Sequence, residues 1–347
     1  MKRLIVCCDG TWNTADQEHN GKPCPTNVVR LAYRIATRDG EIPQVVFYEQ
    51  GVGTGNLVDR WTGGAFGDGL EENIHNAYRF LIANYDHGDE IFVFGFSRGA
   101  FTARSLVGMI RKCGILSRLH MDAYKSALDL YHSEDRPDDA KPTKFRCDCT
   151  IAGEQSVPIR FIGVWDTVGA LGIPLRGLRA FTRRDYQFHD TELSGCVRTA
   201  CHALAIDEHR APFEPTLWTY KPKPDQTVEQ VWFCGVHSDI GGGYPETDLS
   251  NVALAWMLDR AADAGLVFDP EVQSARPVIG NSRGTLHNSM TSFYRVTPGM
   301  DRHIGVGDDP TQSLHTSVME RWDSDATYRP KGLQAYFKRI GDPRASG

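Results

Sequence analysis

Short, nearly unbroken apolar runs alternate along the chain with stretches in which apolar residues recur every three or four positions. Five such runs, Leu4–Cys8, Val45–Tyr48, Ile91–Phe94, Ile159–Trp165 and Val231–Cys234, each give way to a glycine or polar turn. Continuous hydrophobicity over so few residues predicts strands buried on both faces, as in a mostly parallel sheet. Between the runs, Val28, Leu31, Ala32 and Ile35 follow an N-cap candidate at Thr26 or Asn27, and Ile74, Ala77, Tyr78 and Leu81 repeat the helical spacing. Strand and helix in alternation predict a doubly wound α/β fold with right-handed crossovers, its sheet mostly parallel.

Two spacers are too long for simple loops. Residues 114–157 and 172–228 contain stretches that read as helical, "MDAYKSALDLYHSE" and "SGCVRTACHALAI", and are expected to be helical insertions capping the carboxyl edge of the sheet. The amphipathic stretch "NVALAWMLDRAADAG" leads into an irregular C-terminal extension from about residue 265. With no internal repeat and no low-complexity segment, a single domain over residues 1–347 is the expected organisation.

Composition narrows the partners. There are 38 lysines and arginines against 44 acids, a net charge of −6, with no basic stripe to neutralise phosphates, so nucleic acid is excluded as an expected ligand. The opening apolar run is too short for a secretory signal, and no segment approaches the roughly 20 apolar residues of a membrane span. A cytoplasmic, soluble chain is the expectation. Nine cysteines, mostly within apolar runs, read as reduced thiols, and the lone C-x-C of Cys147 and Cys149 lacks a second pair at metal spacing. No cofactor or metal is expected.

Ligands of doubly wound sheets gather outside the carboxyl ends of the strands. There the chain places Asp9-Gly10-Thr11 after the first run, Ser97 in "GFSRG" after the third, Asp166 after the fourth, and His237 with Asp239 after the fifth. A G-x-S-x-G between an apolar strand and a helix is the signature of a serine nucleophile on a strained turn. The hydroxyl needs a base, and the base an acid to fix its tautomer, in the chain order Ser, Asp, His. Ser97, Asp166 and His237 satisfy that order, with Asp239 as a rival acid. The developing oxyanion needs backbone donors, for which the N–H groups of Arg98 and of Gly10 or Thr11 are candidates. Asp9 and Asp239 are further candidates for supporting or substrate-binding roles.

Taken together, "DGTWN", "GFSRGA", "VWDTVGA", "HALAIDEHRAPFEPTLW", "VWFCGVHSDIGGGY" and "LHTSVMERW" resemble the DUF2235 family, the α/β-hydrolase domain found in phospholipase effectors of type VI secretion. The resemblance implies an α/β-hydrolase sheet and a catalytic Ser97, Asp166 and His237. It also implies an ester or phospholipid substrate met by transient contact with a membrane surface, and export by a signal-independent secretion system. Two other readings stand beside it. One is a metal-dependent phosphohydrolase holding a divalent ion with Asp9, Asp166, His237 and Asp239. The other is a catalytically silent binding module on the same fold.

Overall fold

Most of the apolar runs become strands because their alternate residues face two different helical layers, while in Val45–Tyr48 one face is left partly open and Val46 is exposed. The computed structural model describes residues 1–10, 13–51, 63–153, 155–168, 192–219, 221, 223–291, 294, 299–305, 309–342 and 344, the side chains of 63–68 excepted. Its strands are β1 (Arg3–Cys8), the small hairpin of β2 (Glu18–His19) and β3 (Lys22–Pro23), β4 (Arg38–Asp39), β5 (Ile42–Glu49), β6 (Glu90–Phe96), β7 (Ile159–Trp165), β8 (Val197–Ala205), β9 (Thr227–Phe233) and β10 (Gln312–Leu314). Apart from the hairpin they form one eight-stranded sheet in the order β10-β9-β8-β7-β6-β1-β5-β4. Only the edge strand β4 runs antiparallel to its neighbour.

The helices are α1 (Asn27–Ala32), α2 (Gly63–Asn84), α3 (Arg98–Cys113), α4 (Tyr124–His132), α5 (Ala140–Cys149), α6 (His237–Gly241), α7 (Asp248–Asp263), α8 (Pro270–Ala275), α9 (Thr316–Ser324) and α10 (Lys331–Ile340). Leu4, Val6, Ile91 and Val93 face α2 and α3, with Ile74, Tyr78, Leu106 and Ile110 in the same core. Ile5, Cys7, Phe92 and Phe94 face the opposite layer of α1 and α7, with Leu31, Leu254 and Met257. Helix α1 begins where the sequence suggests, the Thr26 hydroxyl accepting a hydrogen bond from the Val29 N–H.

Two expectations are corrected. The stretch "SGCVRTACHALAI" is not helical: Val197–Ala205 is β8, between β7 and β9 in the sheet. Its alanines have low strand propensity, but both faces of its second half are buried, and tertiary packing overrides propensity there. The insertion expected over 172–228 therefore contains a core strand, and residues 169–191 lie outside the described residues. The extension from about residue 265 is also part of the sheet: it supplies β10, and α9 and α10 bury Val318, Trp322, Leu333 and Phe337 against Leu204 and Trp232. The first insertion, 114–157, extends the helical layer, with Ala127 and Leu130 in the α2–α3 core.

Candidate active site

At the end of β6 the chain turns sharply into α3, and Ser97 takes φ 58° and ψ −123°. Positive φ in a non-glycine residue is strained, at a cost of roughly 1–3 kcal/mol, and such strain clusters at functional sites. The flanking glycines make the turn feasible. A Cβ on Gly95 would lie 2.5 Å from the Gly99 carbonyl oxygen, and one on Gly99 would lie 2.3 Å from the carbonyl oxygens of Cys8 and Asp9. The Ser97 side chain makes no capping hydrogen bond to α3, so it is not serving as a helix cap.

On the neighbouring strand, Asp166 follows β7 with φ 37° and is fully buried. Its Oδ2 lies 2.6 Å from Nδ1 of His237, the first residue of α6. Burial alone would raise the Asp166 carboxyl, but the Arg302 charge and then the His237 hydrogen bond hold it well below the usual carboxylate range. Burial pushes His237 down, opposed by Asp166. A neutral imidazole that donates Nδ1–H to the carboxylate keeps Nε2 as an acceptor, the tautomer a general base needs. The ring is held between Phe96, at a centroid distance of 4.6 Å, and the edge of Phe213, at 4.9 Å.

Asp239 does not compete for this histidine. Its carboxylate accepts from the Val236 N–H and lies 2.6 Å from Nδ1 of His287, so it ties the start of α6 to the C-terminal region. Asp9 is likewise engaged: it accepts from the Thr26 hydroxyl at 2.7 Å, the Tyr48 hydroxyl at 2.8 Å and the Gly10 N–H at 2.7 Å. Burial, offset by these bonds, brings its pKa up to about 6. The Gly10 N–H is thus committed to Asp9, although Gly10 itself abuts the Ser97 turn, its Cβ position lying 3.3 Å from Ser97 Cβ. Thr11 lies outside the described residues. Arg98 opens α3, where the first backbone N–H groups point out of the helix end.

The metal set of the alternative phosphohydrolase reading does not converge. Asp9, Asp166 and Asp239 are held by three separate groups of partners, and the cation beside Asp166 is a guanidinium. That is the physical reason against a shared divalent ion.

Sequence patterning missed two residues that build the site. Arg302, in the extension, donates Nη1 to Asp166 Oδ1 at 3.0 Å and Nη2 to Oδ2 at 3.1 Å, and also reaches the Phe213 carbonyl at 2.7 Å. Glu208, after β8, accepts from the His237 N–H at 3.3 Å, the Ser289 hydroxyl at 2.8 Å and the Arg210 guanidinium. No spacing signal links Arg302 to Asp166, 136 positions apart, though Glu208 lies within the stretch "HALAIDEHRAPFEPTLW" that carries the family resemblance. His202 sits on β8 as a buried support: its Nε2 accepts from the Thr167 N–H at 3.1 Å, and burial drives its pKa down to about 3.

Residues 2–260 match the family described as T6SS, phospholipase effector Tle1-like, catalytic domain. An uncharacterized protein of Saccharomyces cerevisiae is 30% identical over 247 residues, 64% of this chain and 33% of that protein. The chain thus spans about a third of the length of that curated relative. Among solved structures, the Tle1 effector bound to the VgrG spike of the type 6 secretion system aligns over 81% of this chain and 76% of its own, at 16% identity and a TM-score of 0.50.

Proposed function

We propose, from the premise that this chain belongs to the Tle1-like phospholipase effector family of the type VI secretion system, as its catalytic domain, that it cleaves acyl esters of phospholipids through Ser97. The observation that carries the proposal is the buried 2.6 Å pair of His237 and Asp166 at the same sheet edge as a serine held at positive φ. His237 Nε2 takes the Ser97 proton as Oγ attacks the ester carbonyl carbon. The oxyanion accepts a hydrogen bond from the Arg98 N–H. The tetrahedral intermediate collapses, the C–O bond to the alcohol breaks, and His237 returns its proton to that leaving oxygen. A water molecule, deprotonated by His237, then attacks the acyl carbon; the bond from that carbon to Ser97 Oγ breaks, His237 returns the proton to Oγ, and the fatty acid is released.

The substrate class follows from the family, whose description names phospholipase effectors. Export in association with a spike protein, by analogy with the solved Tle1 effector bound to the VgrG spike, is the corresponding proposal for this chain. Among the described residues no helix is long and apolar enough to cross a membrane, so lipid would be met at a surface. The test is labelling by a fluorophosphonate probe, followed by hydrolysis of short p-nitrophenyl esters and phospholipid vesicles. Folded wild type should label and hydrolyse vesicle lipid, and Ser97→Ala should do neither. Hydrolysis that survives Ser97→Ala, or a folded wild type that never labels, overturns the reading.

A further inference from the structure

A second cluster of chemistry-bearing side chains, sharing no residue with the candidate active site, lies where the first insertion meets α2. Glu71 and His75 stand one turn apart on α2, a spacing that puts both on one helix face. His132, the last residue of α4, approaches them from the insertion. Glu71 Oε1 lies 2.9 Å from His132 Nε2 and 3.6 Å from His75 Nε2. One ligand atom from each of the three residues lies within 4.8 Å of the others. A tetrahedral ion with ligands at about 2.0–2.2 Å separates them by roughly 3.4 Å, so the cluster is already close to the edge lengths of such a shell. The second observation is His75 Nε2 itself, which is buried and has no hydrogen-bond partner. A buried imidazole nitrogen without a partner is costly, and a metal ion would satisfy its lone pair. The neighbouring cation, Arg79, sits over the Tyr124 ring at 5.0 Å. The His132 side chain is 43% exposed, which leaves a path from solvent and room for water to complete the shell.

We propose that Glu71, His75 and His132 bind a divalent transition-metal cation of the Zn²⁺ class, which would pin α4 to α2. Two imidazoles and one carboxylate suit such an ion better than Mg²⁺ or Ca²⁺, which prefer all-oxygen shells.

The experiment uses the purified full chain with Zn²⁺ alone, in equilibrium dialysis and thermal melting, beside His132→Ala, His75→Ala and a Cys147→Ser/Cys149→Ser double variant. Wild type and the cysteine variant should take up one equivalent of zinc and melt at a higher temperature with it. Outer-shell partners alone are worth 10–100-fold in metal affinity, so removing a direct ligand should weaken binding by at least about 100-fold. His132 ends an exposed helix, and unchanged fluorophosphonate labelling of His132→Ala reports that the fold is intact. The proposal is overturned if folded wild type takes up no zinc, or if His132→Ala binds it as tightly as wild type. It is overturned equally if uptake is lost in the cysteine variant, which would place the ion on Cys147 and Cys149.

Discussion

Arg302→Met probes the feature that most distinguishes this site from a bare Ser-His-Asp arrangement. The guanidinium and the Asp166 carboxylate are both buried, and two parallel hydrogen bonds at 3.0 and 3.1 Å join them. Breaking a buried pair from one side costs roughly 3–5 kcal/mol, against a total stability of about 5–15 kcal/mol. The variant should fold but melt at a lower temperature. The sharper consequence is in the pH profile. With Arg302 gone, burial drives the Asp166 carboxyl upward, and its negative charge acts on the His237 imidazolium without compensation. Both effects make the Asp166–His237 pair bind a proton more readily, so its titration as a coupled unit moves up. The acid limb of ester hydrolysis, followed from about pH 5 to 9, should shift toward higher pH by about one unit. Stability is linked to the same values. In the wild type, the depressed Asp166 and His237 values contribute stability at neutral pH that is lost as the pH falls through their folded values. With those values raised, the variant should start from a lower stability at neutral pH and lose less of it on acidification than the wild type. Arg302→Lys, which keeps the charge without the fork, should fall between the two. A folded Arg302→Met with lower rates but an unmoved acid limb would show that Arg302 is only a packing residue and refute the electrostatic reasoning.

The two carboxylates that follow the sheet should separate cleanly in the same assays. Asp166→Asn should lower hydrolysis by roughly 10⁴-fold, because the amide favours the wrong His237 tautomer, while Asp239→Asn should cost no more than about tenfold; equal losses would mean that the His237 partner is misassigned. Ser97→Gly should abolish labelling yet melt above Ser97→Ala, by up to about 1 kcal/mol of stability, because glycine adopts φ 58° without strain. If the alanine variant is the more stable of the two, the turn stores no strain.

How far the chain could be read differs from element to element. The strands β1, β6, β7 and β9 were legible because burial on two faces forces a run of apolar residues, and β5 was legible from Val45–Tyr48 although it is only partly buried. Ser97 was legible because its turn requires glycine at two fixed positions, and that requirement is local. Strand β8 was not, since its small residues suit the packing of a central strand but lack strand propensity. The order of Ser97, Asp166 and His237 along the chain and the family resemblance pointed to Asp166 with Asp239 as a rival, and distance separates the two, Asp166 meeting His237 and Asp239 meeting His287. Arg302 and the contact of Glu208 with His237 belong to the tertiary structure, because no spacing encodes the pairing of residues so far apart in sequence. What the sequence determined by itself is therefore everything set by short-range sterics and by the period of burial. The electrostatic surroundings of the site were decided only by folding, which brings the C-terminal extension back onto the sheet edge and buries a cation beside the acid that orients the histidine.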